Sequence, residues 1–179
     1  YVDIFHSDNA EKNEYLYHNL GNSIRLYDTE NNLIPLSSTN ELSEHVDGYG
    51  PGYKHFNEKL ATKTYEDDVK AVFQLDVKNQ ENVFMDMHIT GGANREYFTA
   101  MAPKSYTAPR AYRLLPNPVA VVRQNGEAWK NPFMVVYESY TGEKNSTITR
   151  ALGDSDGQTS VLNVESNSGN QTIIQSISK

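Results

Sequence analysis

His6, His18, His45, His55 and His88 are the side chains best suited to move a proton or ligate a metal near neutral pH, because the imidazole titrates there and its neutral ring is a ligand. No two of them stand four residues apart, the spacing that pairs histidines on a helical zinc site. His6, His18 and His88 fall in strand-like runs, where a shared face could bring two of them together with Asp3 or Asp86. A strand histidine is more often hydrogen-bonded or partly exposed, so neither a metal nor a cofactor is assigned. Nucleophilic catalysis has less to start from. The chain has no cysteine, no GxSxG elbow, and no Ser, His and Asp set in a triad-like context. The stretches GPGYKHF and TGGANRE carry glycines without the spacing of a phosphate loop or a dinucleotide fingerprint. Glu66, Asp67 and Asp68 are consecutive, as in a solvated turn, and do not pair as acid and base. No residue is assigned a catalytic role.

Aromatic rings are the second resource. Tyr49, Tyr53, Phe56, Tyr106, Tyr112 and the single tryptophan, Trp129, lie in or beside long connections. Rings of this kind can stack on sugar faces, and Arg110 and Arg113 could hold a carboxylate or sulfate through paired N–H donors. Tyr53, Tyr106, Arg110, Tyr112, Arg113 and Trp129 are therefore candidate carbohydrate-binding residues. The competing reading is that the rings pin the loops to the scaffold. The sequons at Asn145 and Asn170 match a three-residue pattern that arises by chance and carry no weight.

The elements that must position these groups are strands. Apolar runs alternate with period two, as in VFMDMHI, where Val83, Met85, Met87 and Ile89 take one face and Phe84, Asp86 and His88 the other. The pattern predicts strands at Tyr1–His6, Glu14–His18, Ser23–Tyr27, Val69–Asp76, Val83–Thr90, Arg95–Met101, Val119–Gln124, Phe133–Tyr140, Thr147–Leu152, Val161–Glu165 and Thr172–Ser178. Asn125-Gly126 and Asp156-Gly157 predict hairpins. Helix is confined to polar stretches near Asn40–His45 and Tyr65–Asp68. Asp47–Leu60, with three glycines and a proline, and Ala102–Pro118, with four prolines, read as long ordered loops. The expected architecture is all-β: a two-sheet antiparallel β-sandwich forming one domain over residues 1–179.

At 179 residues the chain can bury a sizeable core. A formal net charge of −7, with Lys and Arg scattered, argues against a nucleic-acid partner. No apolar run approaches the roughly 18 residues of a membrane-spanning helix. The first residue is Tyr1, in a strand-like run, which suggests a domain taken from a longer or processed chain.

Read in order, YVDIF, EYLYHNLG, GYGPGYKHF with VKAVFQLD, FMDMHITGG with REYFTAMAP, and PVAVVRQNGEAW with PFMVVYESY resemble the C-terminal β-sandwich region of heparinase II/III-like polysaccharide lyases. The resemblance runs from about Tyr1 to Tyr140, and its specificity lies in the order and spacing of short motifs. It implies a parent enzyme that cleaves uronic-acid polysaccharides by β-elimination, with a Tyr/His acid and base pair and a group that neutralises the uronate carboxylate. Both parts are needed, because the C5 proton is too weakly acidic to remove unless the adjacent charge is stabilised. In such enzymes most of these groups belong to an α/α toroid preceding the sandwich, and this chain has no helical repeat. The implied role is a non-catalytic C-terminal domain that buttresses an N-terminal toroid of the same polypeptide. An acidic polysaccharide is the implied ligand, and the periplasm or the exterior the implied location. His18 and His88 match strand histidines of the family and are carried over as possible cleft-edge residues, whereas a paired-histidine segment is absent. The rival expectations are a freestanding carbohydrate-binding module using the loop aromatics, and a structural domain without a ligand.

Overall fold

Val69, Ala71 and Phe73 alternate with Lys70, Val72 and Gln74. Burial follows the same period, so one face of this strand packs inward while the other meets polar surroundings. The same rule repeated along the chain builds the fold. The structure, a computed structural model, describes residues 1–43, 52–76, 78–107, 109–110, 112–142 and 147–177.

One five-stranded antiparallel sheet runs in the order β1 (Val2–Phe5), β10 (Phe133–Thr141), β7 (Val83–Ile89), β6 (Val69–Leu75), β3 (Ser23–Tyr27). The second runs β2 (Lys12–His18), β9 (Asn117–Asn125), β8 (Arg95–Ala102), β5 (Asn57–Ala61), β4 (Ser37–Ser38). Between them lies the main core, with Leu26, Phe73, Met87, Ile89, Phe133 and Val135 from the first sheet against Tyr97, Ala120 and Val122 from the second. The expected β-sandwich is therefore present. A third sheet, β11 (Ile148–Ser155), β12 (Thr159–Ser166) and β13 (Gln171–Ser176), adds a layer beyond it. Its Ala151, Leu162 and Val164 pack on Met134 and Val136, on the outer face of β10. On the opposite side, Leu42, Tyr53 and Phe56 cover Phe98, Val119 and Val121, on the outer face of the second sheet.

All eleven expected strands form. Departures occur where pairing rather than side-chain pattern decides. The loop expected over Asp47–Leu60 gives way to a 3₁₀ turn at Gly52–His55 and to β5. NEKLA has little intrinsic strand preference and is recruited by β8, with a bulge between Asn57 and Leu60 and Glu58 at φ 52°. The second expected loop ends at Pro116, two residues earlier than the Ala102–Pro118 reading, because β9 begins at Asn117. Pro118 sits inside β9 opposite Met101, near the strand start, and its carbonyl accepts from the Asn19 N–H. Of the helical stretches, Glu41–Ser43 is a 3₁₀ turn, while Tyr65–Asp68 is non-helical, held by the Tyr65 N–H to the Arg95 carbonyl. Asp156-Gly157 closes the β11–β12 hairpin, with Gly157 at φ 83°. Asn125-Gly126 does not close one. Gly126 has the positive φ its position demands, yet β9 and β10 lie in different sheets, so the turn carries the chain across the sandwich. His45, Tyr49 and the Asn145-Ser146 part of its sequon lie outside the described residues.

Candidate functional site

Antiparallel register places Tyr27, Lys70, His88 and Val136 side by side on the outer face of the first sheet, across β3, β6, β7 and β10. The third sheet covers only the β10 end of this row. What remains is a cleft of about 770 Å³ whose floor holds Tyr27, Lys70 and His88 and whose wall is β11, with Thr149 and Arg150. His88 is 8% exposed at the base of the cleft.

Two carboxylates border the cleft and both serve the backbone. Asp28 accepts from the Glu30 and Asn32 N–H groups at 2.9 and 2.8 Å and from the Asn32 amide. These bonds to the charged form, that from the Asn32 backbone foremost, hold its pKa below the usual range. Asp68 accepts from the Gly91 N–H at 2.7 Å. Burial pushes the Asp68 carboxyl up, against the pull of the Gly91 N–H and of Arg150. The nearest Arg150–Asp68 approach is 3.9 Å, beyond hydrogen-bond reach, and the Arg150 side chain is 53% exposed. The Lys70 ammonium donates to the Asn31 side-chain oxygen and lies 5.6 Å from the Tyr27 ring centre.

The other candidate residues are dispersed. His18 is exposed on the outer face of the second sheet, so both layers of the sandwich separate it from His88. Tyr53 donates to Glu14 at 2.6 Å and packs beside Phe56, fixing the covering turn. Trp129 donates to the Gly157 carbonyl at 2.7 Å and lies against His6, tying the third sheet to the loop after β9. His6 contacts the Trp129 carbonyl and the Ser160 hydroxyl. Tyr106 is 75% exposed, Arg110 and Arg113 are exposed, and Tyr112 is half-buried. These four precede β9 and Trp129 follows it, so they stand at opposite ends of that strand. The expected set is not one surface.

A phenol that removes a C5 proton must ionise easily, which requires cationic neighbours. Tyr15, Tyr53 and Tyr140 have surroundings that act the other way. Tyr15 donates to Asp3 at 2.6 Å and shares a 2.7 Å contact with the Tyr137 hydroxyl; burial first, then these partners, raises its pKa. Burial likewise raises Tyr53, helped by Glu14, and Tyr140, helped by Asp86, to which it donates at 2.9 Å. Among the described residues no group of three His, Asp or Glu side chains is placed to hold a metal ion. Lys70, Arg150 and Tyr27 escaped sequence reasoning. Lys70 and His88 both alternate outward, but only strand pairing shows that they are neighbours.

No protein-family profile matches the chain. Over 143 residues it is 32% identical to an endo-acting ulvan lyase of Formosa agariphila. The match takes in 77% of the chain and 17% of that protein, so the chain spans about a sixth of the length of the curated relative it matches. On this evidence the all-β chain is related to one segment of a polysaccharide lyase.

Proposed function

We propose that the chain is the β-sandwich part of an exported, heparinase II/III-like polysaccharide lyase whose elimination chemistry resides in an α/α toroid of the same polypeptide. The sandwich would brace the toroid and offer a face to the acidic polymer. The observation that carries this reading is the 32% identity to an ulvan lyase, confined to a small part of that enzyme. The buried, carboxylate-bonded phenols of Tyr15, Tyr53 and Tyr140 fit a structural role for those three residues. The test is to mix the chain with ulvan, heparin or alginate and follow the ultraviolet absorbance of unsaturated uronate. No rise is expected from the chain, and a rise is expected from the parent polypeptide. Turnover by the chain itself would sink the proposal.

A freestanding carbohydrate-binding module is the second reading, favoured by the 75% exposure of Tyr106 beside exposed Arg110 and Arg113. It requires Tyr106→Ala to abolish saturable binding of an oligosaccharide.

A further inference from the structure

The cleft between β11 and the β3–β6–β7 face is lined by charges of both signs. Both carboxylates at its border accept from backbone N–H groups, Asp28 in its own loop and Asp68 from Gly91, and the second Asp68 oxygen forms a long ion pair with Arg150. Two cations, Arg150 and Lys70, are among its lining residues. Arg150 is half-exposed with its nearest carboxylate at 3.9 Å, and Lys70 is set among the Asn31 amide and the Tyr27 ring. A guanidinium placed this way can close both forks on an incoming sulfate or carboxylate, a geometry an ammonium cannot match.

The backbone of the wall is irregular at the same place. The β11–β12 register shifts between Ile148 and Arg150, leaving Thr149 as the extra residue, its hydroxyl donating to the Glu165 carbonyl at 3.1 Å. Such a bulge re-aims the next side chain, here Arg150, which lines the cleft. The remaining lining supplies neutral hydrogen-bonding groups, the Thr29 hydroxyl and the Asn31 amide, beside the Tyr27 ring. A volume of about 770 Å³ takes a short oligosaccharide and exceeds the needs of a single inorganic anion. Sugar hydroxyls match the neutral groups, and an acidic substituent matches Arg150 and Lys70.

We propose that this cleft is a non-catalytic binding site for an acidic oligosaccharide, its sulfate or carboxylate gripped by Arg150 and Lys70 and its ring seated by Tyr27. The proposal rests on the polysaccharide-lyase reading for its choice of ligand class. It assigns binding to residues other than the loop aromatics.

The test is calorimetric titration of the 179-residue chain with a heparin hexasaccharide, its desulfated form and an alginate hexasaccharide. Saturable binding is expected. Arg150→Ala should weaken it about tenfold or more, the effect of losing a charge-assisted contact. Lys70→Met should weaken it comparably, with an unchanged circular dichroism spectrum. Retention with alginate assigns the grip to carboxylate; loss with both alginate and desulfated heparin assigns it to sulfate. The site is overturned by absence of binding to all three, by full affinity in Arg150→Ala, or by loss in Tyr106→Ala with Arg150→Ala unaffected. Turnover of the parent polypeptide is scored separately. Binding that depends on Arg150 in a protein without elimination activity would keep the cleft and discard the lyase assignment; turnover without binding by the chain would do the opposite.

Discussion

Arg95 and Arg123 are both buried, at 0% and 4% exposure, and their charges are met in different ways. Arg95 donates to the carbonyls of Thr90, Gly91, Asn131 and Pro132 and to the Gln124 side chain, and stacks on Phe133. It thereby ties β8 of one sheet to the ends of β7 and β10 in the other, and burial draws its pKa down. Arg95→Met should cost about 3 kcal/mol or more, because several buried acceptors lose their donor together. A urea titration would show a lower midpoint at unchanged slope. Arg95→Lys should recover little, since one ammonium cannot reach carbonyls on both sides. Arg123 instead grips Glu14 through two nitrogens at 2.7 Å, and Glu14 also accepts from Tyr53. Glu14→Gln should cost about 2–3 kcal/mol and Tyr53→Phe about 1 kcal/mol. The double variant should fall short of their sum, because both act on one network. Additivity in that cycle would show that Tyr53 does not share the network. Neither role is legible in the sequence. An arginine in a strand reads as solvent-facing, and a tyrosine in a loop reads as a sugar platform, until the partner strand is known.

At the level of elements, the cleft depends on how closely the turn after β7 approaches the segment before β6. A Cβ on Gly91 would lie 2.2 Å from the Glu66 carbonyl oxygen and 2.9 Å from the Asp67 carbonyl carbon. Those are backbone atoms and cannot swing away. Gly91→Ala should therefore displace Glu66–Asp68 and cost about 1–3 kcal/mol, the usual range for overpacking. Chemical denaturation measures the loss, and hydrogen exchange at the Gly91 amide, which donates to Asp68, should rise with it. Wild-type stability in Gly91→Ala would mean that the two segments are not in contact. The strands themselves were legible, since alternation in VKAVFQL and VFMDMHI marks which residues face inward. β5 was not, because NEKLA becomes a strand through pairing with β8. The Asn125-Gly126 turn shows the same limit. Its chemistry was readable, and the sheet receiving the next strand was not.

For the molecule as a whole, seven tyrosines, Tyr15, Tyr17, Tyr53, Tyr65, Tyr97, Tyr137 and Tyr140, have pKa values raised chiefly by burial. Tyr97, in the main core, is pushed up to about 12. Above the ordinary phenol pKa of about 10, the unfolded chain releases protons that the folded chain retains, so stability must fall as pH rises. Tyr97 alone should contribute a slope of about 1.4 kcal/mol per pH unit between those two values. Titration with base should show loss of near-ultraviolet circular dichroism coinciding with a large share of the tyrosinate absorbance. Tyrosinate formed fully ahead of that loss would contradict the burial. The sequence by itself determined that the chain is all-β, where most strands lie and which residues face inward, because period-two alternation and turn residues are local properties. Tertiary structure alone decided that a third sheet covers part of the sandwich, that His18 and His88 are on opposite faces, and that Lys70, His88 and Arg150 line one cleft. Those are facts of register and layer order, set by which strands share a core, and no short stretch of sequence carries that information.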